Sequence, residues 1–520
     1  MNLRKSLFLM LVVVFAFTFM STSSFAEEAR YGGTLTVGGE YPIVTFDSHT
    51  LTGEPTWLRG MVLEGLVRWG AGHEPLPQLA ESWEPSEDGL EWTFNIRENV
   101  KFHDGSDLTA NDVAASFERF LNVTVKSGDF EPVSDWEATD DSTFVVYLDE
   151  PYQLPEMLAP LPGAFVVYPE HIISDFMNEE ISDELNNIIG TGPYTLDEWR
   201  AEEFARLVRF DDYYSTDVEF SMVAGHQEAY LDEIVYRLIP DAQSRLAAVM
   251  SGEIDLAINI PLDNFDQVDN TDGVEPVIAT RGDRVYFKLN SDVGVFSDPP
   301  LRKAARAALD LTNIMTVQGP SDLWNVNTAV RFQPDQTEVW RSQIDYFPED
   351  MELAQYLIEN SDYDGEPVRM LVSPGRVTGY NAALQVQNQL AEAGFNVELA
   401  SYDTASFREV RTNLDAWDMK PARGGSDQPI DYAANASRTN RNGEPWAWVT
   451  PEYDYWVNIA RTAVDQDRRA KAIDNVFRLH AEGAGEFWIG EVYPMHVRGS
   501  HVMDVPSWMR VMLGNVWLDD

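Results

Sequence analysis

The stretch that most constrains the fold of this chain runs from Leu79 to Leu121 and reads LAESWEPSEDGLEWTFNIRENVKFHDGSDLTANDVAASFERFL. Over residues 92–96, apolar and polar side chains alternate, which is the period of a strand with one buried face. Residues 103–106 (HDGS) interrupt that pattern as a turn. Thr109 stands three residues before Asp112, the spacing of a capping box, and apolar residues follow at helical intervals. The stretch therefore predicts a strand, a turn and a helix.

The N-terminal residues have the pattern of a secretory signal peptide. Arg4 and Lys5 precede an apolar run over residues 7–20, and Ser24-Phe25-Ala26 forms a small-x-small cleavage site. The apolar run is short for a membrane span, although an uncleaved anchor is the alternative. We expect residues 1–26 to be removed and the rest of the chain to be exported.

The length and composition predict a packed chain of more than one lobe. About 494 residues would remain after cleavage, more than a single hydrophobic core usually supports. Hydrophobic residues make up 44% of the chain and aromatic residues 12%, which is typical of a globular protein. The chain contains no cysteine, which excludes disulfides, thiolate metal sites, cysteine nucleophiles and a lipid-modified N-terminal cysteine.

The net charge of the chain is −49, and loss of the two basic leader residues would make it −51. Such a surface repels nucleic acid and anionic lipid, so neither is an expected partner. Because the acidic residues are spread along the entire chain, we interpret them as an adaptation to a saline exterior. Recruitment of cationic ligands is the less favoured interpretation.

Several further elements can be read from apolar periodicity and turn residues. No internal repeat or low-complexity linker separates the lobes, so crossing strands are expected to join them. The predicted strands are residues 33–37, 141–149, 205–210, 282–289, 368–372 and 395–399, and the predicted helices are 242–251, 301–309, 381–393 and 461–481.

The residues of two segments are more specific for a protein family than their apolar periodicity is. The segment FHDGSDLTANDV, which follows LAESWE and WTFNIR, and the segment GTGPY at residues 190–194 resemble the family 5 extracellular solute-binding proteins. These are the dipeptide-, oligopeptide- and nickel-binding components of ABC importers. The resemblance extends from Tyr31 to the C-terminus, and Ser215–Ala229 looks like an insertion within it.

The resemblance implies an α/β fold of the two-lobed periplasmic-binding-protein type, enlarged by an inserted third domain. Lobe I would comprise residues 27–60, 188–281 and 488–520. The inserted domain would be residues 61–187, and lobe II would be residues 282–487.

The resemblance also implies a function. The protein would capture a small ligand between its lobes, a peptide being the first expectation, and deliver it to a membrane permease driven by separate ATPase subunits. It would act as a monomer in the periplasm, and without a lipoprotein cysteine it would be free there. An oligosaccharide ligand, a role as a ligand-loaded sensor partner, and a secreted hydrolase are the alternatives.

Catalysis is not expected from the motifs. The chain has no GxSxG elbow, no HExxH helix and no phosphate-binding loop, and its eight histidines lack metal-ligand spacing. We therefore expect no enzyme activity, no cofactor and no resident metal. The resemblance implies that a nickel-binding member would use a histidine of the second lobe. Nickel is disfavoured here because His226 is the only histidine between residues 172 and 479.

In peptide-binding relatives, an aspartate of the second lobe pairs with the peptide's α-ammonium group. The corresponding segment here is GGSDQPID, in which Asp427 fits best and Asp431 is the fallback. Arg423 could hold a ligand carboxylate in bidentate fashion. A solvated surface position is the alternative for both aspartates and for Arg423.

Three further residues are candidates for the ligand site. Trp446 and Trp448 stand two residues apart, so on a strand they would face the same side and could wall a pocket or stack on sugar rings. Core packing is the commoner role of such residues. Glu40 follows the first strand, where relatives often touch the ligand backbone, and is the weaker candidate.

The charge interpretation predicts a stability that depends on salt. Repulsion within a chain of net charge −51 is screened over a few ångströms in molar NaCl. The midpoint of thermal unfolding should therefore rise as NaCl is increased into the molar range. A flat or falling midpoint would mean that the acidic residues have another purpose.

Overall fold

The fold of the chain is given by a computed structural model. It describes residues 29–519 except 51–54, 72–73, 125–126, 160–164, 182–183, 202, 222–223, 327–348, 375–376, 426–449, 464, 484 and 508–510. Helices and sheets are mixed along the chain, which confirms the α/β prediction. Within those described ranges, no helix is both long and apolar enough to cross a membrane.

The first large sheet has seven strands in the order β12-β19-β11-β1-β10-β9-β8. Strand β1 is parallel to its neighbours β10 and β11, and its Leu35 and Val37 are fully buried. Helix α5 (Ala242–Met250) packs on this sheet, and the Asp241 carboxylate accepts a hydrogen bond from the backbone of Ser244 at its start. The strands are β1 (Thr34–Gly39), β8 (Tyr194–Arg200), β9 (Phe204–Arg209), β10 (Glu233–Leu238), β11 (Leu256–Ile260), β12 (Val274–Ile278) and β19 (Met495–Gly499).

The second large sheet has six strands in the order β14-β18-β13-β17-β15-β16. Strands β15 and β16 are parallel and are joined through helix α10 (Val377–Ala393), which confirms the predicted β-α-β unit. The strands are β13 (Asp283–Leu289), β14 (Trp324–Val326), β15 (Val368–Val372), β16 (Val397–Ser401), β17 (Met419–Gly425) and β18 (Glu486–Val492).

The chain passes between the two large sheets at two adjacent crossings. Residues 279–282 connect β12 to β13, and residues 493–494 connect β18 to β19. The Ala279 N–H donates a hydrogen bond to the carbonyl of Pro494 at 2.9 Å, so the crossings lie side by side. The sheets are thus joined by crossing strands, as the sequence predicts.

The stretch from Leu79 to Leu121 folds as strand, turn and helix, as predicted. The helix is α2 (Ala110–Val123), and the Asp112 carboxylate accepts hydrogen bonds from the backbone and the hydroxyl of Thr109, both at 2.8 Å. Phe117 on this helix contacts the ring of Phe144 edge to face. The strands of this third sheet are β4 (Ala80–Pro85), β5 (Glu91–Ile96), β6 (Val133–Asp140) and β7 (Thr143–Leu148), in the order β4-β5-β7-β6.

The remaining elements are short or flank the three sheets. They are α1 (Thr56–Arg59), α3 (Leu154–Leu158), α4 (Glu170–Asp175), α6 (Phe265–Asp269), α7 (Pro299–Ala307), α8 (Leu311–Met315), α9 (Met351–Glu359), α11 (Thr404–Val410), α12 (Pro451–Thr462), α13 (Gln466–Gly483), β2 (Val67–Trp69), β3 (Pro75–Pro77), β20 (Val502–Met503) and β21 (Trp517–Leu518).

The prediction of one helix over residues 461–481 is wrong. Helix α12 ends at Thr462, and α13 begins at Gln466. Ala463 leaves the helical conformation with φ −72° and ψ 120°, and the Asp465 carboxylate accepts a hydrogen bond from the backbone of Arg468 at 2.8 Å. A new helix cap therefore interrupts an apolar pattern that is continuous in sequence.

A buried ion pair fastens the four-stranded region to the seven-stranded sheet. Arg119 on α2 and Asp47, which follows β1, are both fully buried, and two guanidinium nitrogens meet the two carboxylate oxygens at 3.1 and 2.5 Å. Burial alone would raise the pKa of Asp47, but the hydrogen bonds and charge of Arg119 outweigh it and lower the pKa. This contact fixes the two regions to each other.

The GTGPY segment makes a second attachment between these regions. The Thr191 hydroxyl donates to the buried carboxylate of Glu64 at 2.9 Å, and the Tyr213 hydroxyl donates to the same group at 3.1 Å. Glycine is required on both sides of Thr191. A Cβ on Gly190 would lie 2.1 Å from the carbonyl oxygen of Val62, and one on Gly192 would lie 2.5 Å from the carbonyl oxygen of Met61.

His103 lies in the turn of the Leu79–Leu121 stretch and is held by the same two glycines. Its Nδ1 accepts from the Gly190 N–H at 3.3 Å, and its Nε2 lies 3.0 Å from the Gly192 carbonyl. These partners require a neutral ring with the proton on Nε2. Burial lowers the pKa of His103 to about 4, so it remains neutral at physiological pH.

The segment Ser215–Ala229, which the sequence predicts to be an insertion, packs against distant parts of the chain. The backbone of Glu228 donates to Asn515 at 2.7 Å, and Asn515 donates back to the His226 carbonyl at 3.1 Å. The backbone of Ala71 donates to the Ser221 hydroxyl at 3.0 Å. Residues of this segment therefore connect Asn515, near the C-terminus, and Ala71 to the rest of the fold.

The environment of His103 predicts how its contribution to stability depends on pH. Its folded pKa of about 4 lies below the ordinary value of 6.5, so its contribution is fully present above pH 6.5 and is lost as the pH falls towards 4. The free energy of unfolding of His103→Gln should be about 1–3 kcal/mol below that of the parent at pH 7.5, and the gap should narrow towards pH 4.

Urea unfolding over this pH range would measure that gap. His171→Gln at an exposed position is the control and should change the free energy of unfolding by less than about 0.5 kcal/mol. A gap for His103→Gln that is constant with pH would show that the buried ring does not resist protonation.

Candidate ligand-binding site

The carboxyl ends of three parallel strands meet at one edge of the seven-stranded sheet. Strands β1, β10 and β11 run in the same direction, and Ile260 at the end of β11 pairs with Met495, the first residue after a crossing. This edge therefore lies beside the crossings. In open α/β sheets, ligands bind outside the carboxyl ends of the strands.

The six-stranded sheet presents its parallel strand ends to the same crossings. Strands β15, β16 and β17 are parallel, and Gly425 at the end of β17 pairs with Asp283, the first residue of β13. Two sets of carboxyl strand ends thus border the crossings from opposite sheets. We call the region between them the crossing edge.

Glu40 follows β1 and lies at the crossing edge. Its two carboxylate oxygens accept hydrogen bonds from Arg245 Nη2 at 3.3 Å and Asn259 Nδ2 at 3.0 Å. The side chain remains 25% exposed. Glu40 is therefore an oriented carboxylate with accessible surface rather than a freely solvated acid.

Arg245 on α5 holds the Glu40 carboxylate in place and also binds the backbone around it. It is 1% exposed, and its guanidinium donates to the carbonyls of Ile258, Ile239, Pro240 and Asn259 at 2.6–3.0 Å. These carbonyls lie at the ends of β10 and β11, where the sheet no longer provides partners. Burial lowers the pKa of Arg245, and the nearby Glu40 carboxylate opposes that effect.

Asn259 is held in an uncommon backbone conformation next to this pair. Its φ is 54°, in the left-handed region that few non-glycine residues adopt. Its N–H donates to Nδ1 of the buried His496 at 3.1 Å. Burial lowers the pKa of His496 to about 3, which keeps Nδ1 available as an acceptor.

One face of β13 and β18 forms a strip of charged and aromatic side chains, while Phe287 and Phe487 turn into the core on the other face. The rings of Tyr286 and Trp488 stack at 4.4 Å, and the Arg284 guanidinium lies 5.5 Å from the Trp488 ring. Ion pairs at 3.6 and 3.7 Å complete the strip, which we call the ionic strip. Its members are Arg284, Tyr286, Lys288, Glu486, Trp488 and Glu491.

Neither the ionic strip nor the partners of Glu40 follow from a sequence motif. The segment GDRVYFKL predicts a strand, and the alternation of that strand places Arg284, Tyr286 and Lys288 on one face. Arg284 and its partner Glu491 lie beside the crossings. The strip therefore gives the six-stranded sheet a polar face that reaches the crossing edge.

The other predicted site residues lie at or beyond the end of β17. Arg423 belongs to β17, where its backbone pairs with Val285 two residues before Gly425. Asp427, Asp431, Trp446 and Trp448 fall within 426–449, outside the described residues. Their contribution to a ligand site stays a prediction.

No metal centre is found in the part of the chain that the structure describes. There, no group of three or more His, Asp or Glu side chains is arranged to hold a metal ion. The charged groups beside the crossings are instead carboxylates paired with guanidinium groups, namely Glu40 with Arg245 and Glu491 with Arg284. Such groups bind polar organic ligands through hydrogen bonds and ion pairs.

Comparisons with known proteins agree with this architecture. The profile of the bacterial extracellular solute-binding proteins, family 5 Middle, matches residues 74–443. The dipeptide-binding protein DppE of Bacillus subtilis is 25% identical over 435 residues, which are 78% of this chain and 77% of DppE. The oligopeptide-binding protein AppA of the same organism is 23% identical over 507 residues, which are 89% of this chain and 87% of AppA.

The fold is also that of a solved binding protein. The periplasmic binding protein AgaA from Agrobacterium tumefaciens R10, in complex with agropinic acid, superimposes with a TM-score of 0.78 at 23% identity. The match covers 94% of this chain and 99% of AgaA. This similarity establishes the two-lobed fold.

The contacts of Arg245 predict a large loss of stability on its replacement. Arg245→Met removes the donors of several buried carbonyls and leaves Glu40 without its cation, so the free energy of unfolding should fall by about 3 kcal/mol. Arg237→Met is the matched control because Arg237 is 40% exposed and pairs with the exposed Glu253. That change should cost less than about 1 kcal/mol.

Urea unfolding monitored by tryptophan fluorescence would compare the two variants. Equal, small losses would contradict the structural role given to Arg245.

Proposed function

Because this chain belongs to the family 5 bacterial extracellular solute-binding proteins, the substrate-capturing components of ABC importers, we propose that it captures a peptide at the crossing edge and delivers it to a membrane permease. The observation that carries the proposal is the convergence of Glu40 and the end of β17 on the two chain crossings. ATP hydrolysis would be the task of separate subunits.

We propose a domain division that follows the sheets. Lobe I comprises residues 27–60 and 188–281 with the C-terminal segment, the inserted domain is 61–187, and lobe II begins at residue 282. The sequence-derived limit between 487 and 488 would fall inside β18, which pairs with β13. Extending lobe II to residue 492 keeps that strand in one body.

We propose that the lobes close around the ligand by rotation at residues 279–282 and 493–494. These short crossings are the covalent links between the two large sheets within the described chain. A ligand that contacts both lobes in the closed state alone would shift the population towards that state. Burial of the ligand would follow from the same contacts.

Charge complementarity supports a peptide with a free α-ammonium group. Glu40 offers an oriented carboxylate on lobe I, and Asp427 would follow β17 two residues after Gly425 on lobe II. Asp431 is the alternative if the register is shifted, and Arg423 would hold the peptide carboxylate. A buried ammonium requires such a matched, hydrogen-bonded carboxylate.

An oligosaccharide is the second candidate ligand. Trp446 and Trp448 could stack on sugar rings, and AgaA shows that this fold accommodates a ligand described as agropinic acid. The relatives named above are binding proteins, and we propose that this chain likewise performs no catalysis. A ligand-loaded sensor role would use the same cleft and would leave uptake unchanged on deletion of the gene.

Family 5 binding proteins of ABC importers are periplasmic or extracellular. We propose that residues 1–26 of this chain are cleaved and that the mature protein is free in the periplasm as a monomer. The absence of cysteine supports the lack of a lipid anchor.

Native mass spectrometry of protein purified without denaturation tests the ligand class. We expect one or more peptides to be released from the folded protein. Asp427→Asn should weaken binding of the identified peptide on the order of 10- to 100-fold, because it removes the partner of a buried ammonium. Asp431→Asn should have little effect if the register is correct.

A co-purifying oligosaccharide would overturn both the peptide proposal and the role of Asp427. Turnover of chromogenic peptides or glycosides that Asp427→Asn abolishes would overturn the proposal that the protein is not an enzyme.

A further inference from the structure

The inserted domain contacts lobe II at a place well separated in sequence from both crossings. The Glu156 carboxylate and the Arg469 guanidinium form a bidentate ion pair, with Oε1 to Nη1 at 2.9 Å and Oε2 to Nη2 at 2.6 Å. Beside it, Gln153 Nε2 donates to the Ala463 carbonyl at 3.3 Å. The Arg461 guanidinium lies 5.7 Å from the Tyr152 ring. These three contacts join residues 152–156 to α12 and α13.

Both sides of this contact are anchored in their own bodies. On the inserted-domain side, Tyr152, Leu154 and Leu158 are buried in the core of the four-stranded region. On the lobe II side, Arg469 Nε donates to the Ala460 carbonyl at the end of α12. Because each partner is packed within its own region, the contact constrains the distance between the two bodies.

The inserted domain is itself fixed to lobe I. The buried pair of Asp47 and Arg119 and the Glu64–Thr191 hydrogen bond connect the two regions. The contact between Glu156 and Arg469 therefore bridges the two moving bodies of the protein without passing through the crossings. Rotation at the crossings that separates lobe II from lobe I must break it or move it.

The burial of this pair distinguishes it from ordinary surface ion pairs. The Arg469 side chain is 2% exposed and that of Glu156 is 19% exposed. The pair between Arg478 and Glu482 on α13, in contrast, is 32% and 46% exposed. Bidentate, largely desolvated pairs are stronger and more geometrically specific than exposed ones. Replacement of either residue would remove a charge-assisted contact between two largely buried groups.

We propose that Glu156 and Arg469 form a closure latch, which stabilises the closed arrangement of the lobes independently of any contact with the ligand. The two residues act as positioning residues for ligand capture. The latch shifts the population towards the closed state, so it sets how much binding energy the ligand itself must provide. The inference rests on the proposed closure but not on the chemical class of the ligand.

The absence of native cysteine allows the latch to be tested by distance measurements on the full mature chain. Glu87, in the turn between β4 and β5, and Glu359, at the end of α9, are exposed and can be replaced by cysteine and spin-labelled. Double electron–electron resonance then reports the distance between the inserted domain and lobe II. We expect the labelled parent to populate a short distance and Glu156→Gln to lengthen it.

The expected change is a fall in the ratio of short to long distances on the order of tenfold, because a buried charge pair is lost in the closed state alone. The charge-swapped double variant Glu156→Arg with Arg469→Glu should restore much of the short distance. If Glu156→Gln lengthened the distance only by destabilising the fold, the charge swap would not restore the short distance.

Asp418→Asn is the matched control. Asp418 forms a bidentate pair with Arg369 at 2.8 and 3.1 Å, but both residues lie within lobe II. This variant should lower the free energy of unfolding without changing the distance distribution.

Two results would overturn the latch. A parent protein with the long distance alone would show that the contact does not form, and an unchanged distribution in Glu156→Gln would show that it does not hold the lobes. Neither result depends on which ligand co-purifies, so the latch can fail while the peptide proposal stands, and the reverse.

Discussion

The pairing of the two chain crossings is the constraint on which the rest of the structure depends. The hydrogen bond from Ala279 to Pro494 holds the strands that leave one large sheet beside the strands that return from the other. Because of this pairing, the carboxyl ends of parallel strands from both sheets border the same region. Glu40 and the end of β17 therefore border the same crossings from opposite sheets, although nearly 400 residues separate them in sequence.

A second constraint is the internal use of arginine. The chain has 86 acidic and 37 basic residues, yet four arginines are among its largest fully buried side chains. Arg245 satisfies carbonyls at strand ends, and Arg302 does so at a helix end. Arg119 and Arg469 each form an ion pair with an acidic residue that is distant in sequence. The guanidinium group suits these positions because it supplies five donors in a fixed plane. The acidic excess is thus a property of the surface, while scarce cations organise the interior.

Local patterns predicted local elements well and long-range partners poorly. The strand, turn and helix after Leu79 and the β-α-β unit that contains α10 follow from period and caps, which involve neighbouring residues. The break between α12 and α13 was missed because it depends on the Asp465 cap within a continuous apolar pattern. Glu40 is held by Arg245 and Asn259, which lie more than 200 residues away in sequence. No local pattern could therefore identify them as its partners.

We expect lobe I and the inserted domain to move as one body, against which lobe II rotates at the crossings. Single-molecule fluorescence energy transfer on the mature chain tests it with labels at Asp272 of lobe I, paired either with Glu359 of lobe II or with Glu87 of the inserted domain. We expect two exchanging distances for the first pair and one constant distance for the second. A single distance for the first pair, or movement in the second, would contradict a protein of two bodies.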